Sequence, residues 1–347
     1  MVRLTRVQQQ ERTRASVLAA AKEEFTEHGY AAAKIDRIAE RAELTRGAVY
    51  SNFPSKRALY LAVLIDLVEG TSADGSPEPA SMEEALGAFA RAWLERLPLA
   101  GETASGGRLQ LRSLTGVFDD DHGRAVLAQL AGLEAFLLGA ALEGGTSERR
   151  VRLASLVLTL LGGAGQLADT APGSGDPFDL VLACQHLAGL GLADAWAPPY
   201  LAFVKPARPC RESWVAPADL VDLVGGEPVD LAVDGLVAVL GAGRLGAAEE
   251  AFRAARAGEQ VTVVVVVSDA AEIGRLVRLR IADLMGCLRR VLPLPSLRIV
   301  LDDDAAVATA LGLDDAGDET EAAMRVQGGA IVARAHGRGA AHAAAGS

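Results

Sequence analysis

Thr45 to Lys56 reads TRGAVYSNFPSK, a run with no acid and with hydrogen-bonding side chains set among small residues. Side chains of this kind suit nucleic acid. Phosphates are held by basic groups, hydroxyls and helix N-termini, and base edges by side chains that can come close in the major groove. Lys56 opens a helix, so its ammonium and the nearby N–H groups can hold one phosphate. Tyr50 can offer its hydroxyl to another. Thr45, Arg46, Ser51 and Asn52 are candidates for base or backbone contacts. Arg46 could pair with guanine and Asn52 with adenine, and a phosphate contact stays open for each. Gly47 keeps the surface low, and Lys34, at the start of the preceding helix, joins the set.

Two short helices must position these groups. Ile35, Ile38, Ala39 and Ala42 recur at helical spacing and leave Arg37, Glu40 and Arg41 on the opposite face. Glu43 and Leu44 break the pattern. Thr45 stands where an N-cap belongs, because its hydroxyl can accept from a free N–H of the next helix. That helix runs from Arg46 to about Phe53. Pro54 stops it, having no N–H and disfavouring helical geometry in the residue before it. Ser55 then caps a helix beginning at Lys56. Upstream, a helix over about 12–28 carries Val17, Leu18, Ala21 and Phe25 on one face, and Gly29 ends it in a left-handed conformation. Residues 1–11 are expected to form a mobile arm, with Arg3, Arg6, Arg12 and Arg14 reaching phosphates or the minor groove, and a solvated tail as the competing role.

The segments VLAAAKEEFTEHGYAA (17–32), IDRIAERAELTRGAVYSNF (35–53) and PSKRALYLAVL (54–64) resemble, in order, the DNA-binding domain of the TetR family of transcriptional regulators. The resemblance implies phosphate contacts for Tyr50 and Lys56. Two positions depart from it. Ala33–Lys34 stands where the family has a capping Thr or Ser, and Glu43 replaces a turn glycine, which costs strain if that turn needs a positive φ.

Whole-chain properties agree. Residues 1–60 carry 11 basic and 7 acidic side chains, whereas the 347-residue chain has a net charge of −11. A basic segment on an acidic body is the pattern of a DNA-binding head. No uninterrupted apolar run reaches the length of a membrane span, and no signal peptide is read, so no membrane partner is expected. The three cysteines, Cys184, Cys210 and Cys287, are odd in number and far apart, which fits a cytoplasmic location. Neither they nor His122 and His186 show metal-ligand spacing.

Residues 65–195 read as all-helical, with helices near 56–70, 81–97, 107–118, 122–143, 147–169 and 177–192. Ser81 and Glu84 have capping-box spacing. The resemblance implies that this region holds a small-molecule effector pocket and the dimer interface. Phe89, Trp93, Arg112, Phe118 and Phe136 are loose pocket candidates, with plain core packing as the competing role. The last two helices are apolar around most of their circumference and must be covered. The family implies a four-helix bundle across a two-fold axis, and Gly162, Gly163 and Gly165 would allow close approach.

Residues 196–217 are Pro-rich and read as a linker. Beyond it, LVAVL (236–240), VTVVVVV (261–267) and LRIVL (297–301) have the continuous apolar character of buried parallel strands. Helices near 245–257, 270–291 and 304–313 are interleaved with them. EAAMRV (321–326) and AIVARAHG (330–337) form a hairpin about Gly328–Gly329. Gly241, Gly243 and Gly246 spell G-x-G-x-x-G after a strand, but the second strand lacks the ribose-binding acid of a dinucleotide site. The element order in 218–347 resembles the thioredoxin-like and peroxiredoxin group. No cysteine stands after the first strand, so that resemblance implies a redox-inactive module.

The expectation is therefore a multidomain protein: a helix-turn-helix head (1–64), an all-α regulatory domain (65–195), a linker (196–217) and an α/β thioredoxin-like domain (218–347). The expected function is a DNA-binding regulator, a ligand-responsive homodimeric repressor on a pseudo-palindromic operator. No catalytic, cofactor or metal residues are assigned. The alternative is a fused regulator-enzyme whose last domain binds a nucleotide cofactor or acts as an oxidoreductase.

Overall fold

The computed structural model describes residues 5–69, 79–96, 114, 116–144, 146, 148–171 and 173–347. The N-terminal half is helical: α1 (Arg6–Ala32), α2 (Ile35–Arg41), α3 (Arg46–Asn52), α4 (Lys56–Glu69), α5 (Met82–Leu94), α6 (Asp121–Glu143), α7 (Val151–Thr170) and α8 (Pro177–Leu187). The expected helix at 107–118 and the pocket candidate Arg112 fall largely or wholly outside the described residues.

Local chemistry sets the boundaries. Thr5 and Gln8 form a reciprocal capping box, so α1 starts earlier than its apolar face suggests. Residues 6–11, expected in a loose arm, are therefore helical. Gly29 takes φ +69° and bends the chain there. Ser81 accepts from Glu84 N and Asp120 from Gly123 N, each starting a helix with a side-chain oxygen.

The C-terminal half is a six-stranded mixed sheet with helices on its faces. Its strands are β1 (Arg208–Ser213), β4 (Gly235–Gly241), β5 (Gln260–Val266), β6 (Leu297–Asp302), β7 (Glu321–Gln327) and β8 (Ala330–His336), in the order β1-β8-β7-β4-β5-β6. A separate two-residue pair, β2 (Leu220–Val221) and β3 (Pro228–Val229), flanks it. β4, β5 and β6 run parallel, with Val239 opposite Val264 and Val264 opposite Val300, and β7 returns antiparallel to β4. The helices are α9 (Ala248–Ala254), α10 (Arg275–Leu288), α11 (Ala306–Ala310) and α12 (Ala340–Ala345). Every strand read from the sequence is present. β1 was not expected: it lies inside the stretch read as a linker and pairs at the sheet edge with β8. Pro209 is tolerated there because an edge strand can spare an N–H.

The two halves share one hydrophobic core. It runs from Phe25 and Phe53 through Leu86 and Leu133 to Leu236, Val263 and Met285. Alternate residues of the same strands, among them Val239, Val264 and Met324, pack on the other face against Val307 of α11. α10 joins the halves. It packs on α4, α5 and α6, and ion pairs border the contact: Arg96–Asp283 (2.7 Å), Arg280–Glu134 (2.5 Å), Arg278–Glu69 (2.9 Å) and Arg290–Glu95 (2.7 Å).

By length and composition alone, residues Asp121–Glu143 and Val151–Ala168 could each cross a bilayer. The first is mostly buried inside the protein, as a soluble core helix would be.

Candidate nucleic-acid interface

The head is a three-helix unit on which α4 is stacked. Val17, Phe25, Ile38, Val49 and Phe53 close its core. Lys34 caps α2 without a side-chain hydrogen bond, as the departure from Thr or Ser implies. A buried acid substitutes: Glu24 accepts from Lys34 N (3.0 Å) and lies 3.4 Å from Arg37 and 3.5 Å from Arg41. Its neighbours Glu27 and His28 complete a cluster with metal-ligand atoms, but Arg41 already occupies both carboxylates. Glu43 takes φ +56°, the turn conformation that glycine adopts freely and that costs another residue roughly 1–2 kcal/mol.

Thr45 caps α3 through Ala48 N (3.2 Å). The helix buries Val49 and turns Arg46, Gly47, Tyr50 and Ser51 to solvent, beside exposed Thr45 and Lys34. The Arg46 guanidinium lies 5.5 Å from the Tyr50 ring centroid and 3.4 Å from Asp36. Its proton is held more tightly, first by the Tyr50 hydroxyl and then by Asp36. Ser51 and Asn52 both donate to Ala48 O (2.9 Å each), so Asn52 must leave that bond before its amide can meet a base. Gly47 has open space around it apart from Thr45 Oγ1.

Lys56 and Ser55 begin α4. Ser55 Oγ accepts from Ala58 N (2.9 Å). The Lys56 ammonium donates to Ala31 O (3.1 Å) and lies 4.8 Å over the Tyr30 ring, and burial lowers its proton affinity. It is thus held back on the head. Glu272, from the turn before α10, accepts from Ser55 Oγ and from Arg57 (2.9 Å). Arg57 also reaches Asp120 (3.0 Å) and covers the Phe118 ring. Sequence reasoning missed this junction because Glu272 lies more than two hundred residues from Ser55 and Arg57.

The structure spreads the described pocket candidates out. Phe89 and Trp93 pack on each other, Phe118 lies under Arg57, and Phe136 meets Phe252 of α9 (5.4 Å between centroids). Phe136 also lines a cavity of about 350 Å³ with Arg149 and Leu245. The glycine loop is filled by its own chain. A side chain at Gly241 would meet Asp318 O at 2.2 Å, and one at Gly243 would meet Glu319 Oε1 at 2.7 Å. A short 3-10 turn, Ala242–Ala247, follows where a dinucleotide site has an α-helix N-terminus.

With this geometry in place, comparison with known proteins gives one segment a family. Residues 17–63 match the model for bacterial regulatory proteins of the tetR family. The HTH-type transcriptional activator FasR of Mycolicibacterium smegmatis is 49% identical over 51 residues, 15% of this chain and 23% of that protein. The chain thus spans about a quarter of the length of that curated relative. Among solved structures, a TetR-family regulator from Pectobacterium atrosepticum aligns over 53% of this chain and 95% of its own, with 26% identity and a TM-score of 0.35. NalD, the secondary repressor of an efflux pump in Pseudomonas aeruginosa, aligns over 51% and 93%, with 22% identity and a TM-score of 0.33. FadR of Bacillus subtilis, solved with stearoyl-CoA, aligns over 50% and 97%, with 16% identity and a TM-score of 0.31.

Proposed function

We propose that the chain is a DNA-binding transcriptional regulator of the tetR type, acting as a homodimer on a pseudo-palindromic operator in the cytoplasm. The observation that carries this reading is α3: a capped helix presenting Arg46, Gly47, Tyr50 and Ser51 to solvent within the segment that matches the family. Selection of bound DNA fragments by the full chain at fixed salt tests it. Enrichment of a palindrome with half-sites about one helical turn apart is expected. Binding no better than to random DNA would sink the reading.

Dimerisation is supported by α7 and α8. Leu156, Leu167, Phe178 and Leu182 are exposed on them, and Gly162 and Gly163 face open space. Such a face calls for a partner. Sedimentation should give a dimer that Leu182→Glu with Phe178→Glu dissociates. Repression follows if the dimer occupies promoter DNA. A small-molecule effector would release it by favouring a head spacing that misses one half-site. FasR is named an activator and NalD a repressor, so a promoter–reporter assay decides the sign.

For residues 218–347 we favour a thioredoxin-like, redox-inactive module. Supporting it are the parallel β4–β5 pair, the β7–β8 hairpin beside β4, and the closing α12. β4 ends in Gly241–Ala242–Gly243 rather than a cysteine pair. Cys287, the single cysteine in 218–347, is buried. The fused-enzyme alternative loses its cofactor site to the filled glycine loop, so no fluorescence change with NADH or NADPH is expected.

A further inference from the structure

A cleft of about 500 Å³ opens where the head meets the C-terminal domain. Arg14 of α1 and Asp66 of α4 line one wall. Arg275 of α10 and Asp303, just past the end of β6, line the other, with Ala271 and Gly274 between them. The cleft lies outside the pocket that the family resemblance implies for the helical domain. It opens beside the C-terminal end of a parallel strand, the side on which open α/β sheets take ligands.

Three arginines line it, and Arg14 and Arg275 differ from the third, because Arg278 is already paired with Glu69, which also lines the cleft. Arg278, Arg280 and Arg290 each face a carboxylate. Arg275, half-buried, donates only to the carbonyls of Ala271 (2.8 Å) and Ala58 (3.4 Å). Neither Arg275 nor Arg14 has an ion-pair partner among the described residues. Both guanidiniums lie against the same ring, that of Phe53, at 4.7 Å (Arg14) and 5.6 Å (Arg275) from its centroid. Burial and then repulsion from Arg14 push the proton affinity of Arg275 down. An anion between the two removes the repulsion and supplies the missing charge-assisted hydrogen bonds. The opposite chemistry is present too. Asp303, its carboxyl pushed up first by desolvation, and Asp66 are both exposed and call for hydrogen-bond donors on the same ligand. A side chain at Gly274 would meet Asp303 Oδ1 at 2.8 Å, so the glycine keeps that carboxylate uncrowded.

We propose that this cleft binds a small organic anion, with a carboxylate or phosphate group held between Arg14 and Arg275 and hydroxyl or amino donors turned toward Asp303 and Asp66. Phe53 is the C-cap residue of α3, so occupancy is felt at the recognition helix. Binding at the cleft stands apart from the DNA reading, whereas its effect on DNA rests on that reading.

The test is calorimetric titration of the full chain at constant ionic strength with glucose 6-phosphate and with citrate, which separate the phosphate from the carboxylate source. Glucose is the uncharged control. At least one anion should saturate, and Arg14→Gln and Arg275→Gln should each weaken it about tenfold or more, the loss of one charge-assisted hydrogen bond. Arg14 is exposed, so its variant folds even if the Arg275 variant does not, and Arg12→Gln is the control that leaves binding unchanged. No saturation with either anion, or saturation that Arg14→Gln leaves unaltered, overturns the proposal. DNA affinity is measured separately on the same samples. A chain that binds the anion through these arginines but no DNA keeps the cleft and loses the regulator, and the converse result does the reverse.

Discussion

α3 and α10 are both helices with arginine on their surfaces, and the protein treats them in opposite ways. α3 meets little acid: Asp36 touches Arg46, and the remaining polar side chains are turned outward or back onto their own helix. α10 and the residues just past it meet acids from α4, from α6 and from the chain after α5, and α10 packs its apolar residues against the body. Positive charge in the sequence is therefore left free to meet an outside anion only where the fold withholds the opposing carboxylates. Where it supplies them, the same residue type becomes a seam between domains.

The largest test of this contrast is at the seam. Arg96 and Asp283 are almost fully buried, so Asp283→Ala leaves an uncompensated guanidinium and should cost about 3–5 kcal/mol in urea unfolding. A loss under 1 kcal/mol would mean that the seam is wetter than the geometry indicates. At α3 the effect should be on binding and not on folding. Lys56→Ala should weaken binding to all DNA sequences and make the salt slope shallower by about one unit. Tyr50→Phe should weaken it as uniformly, and an unchanged slope for Lys56→Ala would remove that ammonium from the phosphate contacts. Third, Thr45→Ala deletes the cap that starts α3 and should lower stability by about 1 kcal/mol in thermal unfolding. The smallest change is Glu272→Gln. It keeps a hydrogen-bonding group on Ser55 but takes a negative charge away from the start of α4, so DNA affinity should rise about two- to threefold at low salt and converge with wild type as salt screens the charge. A fall in affinity would instead make Glu272 a strut that the head needs.

Much of this was legible in the chain. The valine-rich runs read as strands at 236–240 and 261–267 are buried on both faces over 236–240 and 261–266, as central strands must be. The Thr45 cap, the Gly29 bend and the Pro54 stop are local chemistry, and each stands where its residue type places it. β1 was hidden because Arg208, Pro209, Arg211 and Glu212 carry no strand pattern; pairing with β8, more than a hundred residues away, makes the strand. The start of α1 was hidden by its polar first turns, which Thr5 and Gln8 stabilise without any apolar face. At the site, the exposed set on α3 was readable. The inward turn of Lys56 onto Tyr30, the buried Glu24 behind Lys34, and the Glu272–Ser55–Arg57 junction were not. They depend on which distant side chains arrive beside them.

The shared core also sets an order in time. α4 ends at Glu69, and the helix that covers it begins at Arg275, so the ribosome must make roughly 200 more residues before the cover exists, on the order of ten seconds or more at roughly 5–20 residues per second. Through that interval the nascent head carries a naked apolar flank, which chaperones can hold and a mate still on the ribosome can mispair with. The flank is covered only once α10 has been made, and a message cut short downstream of α8 leaves it bare.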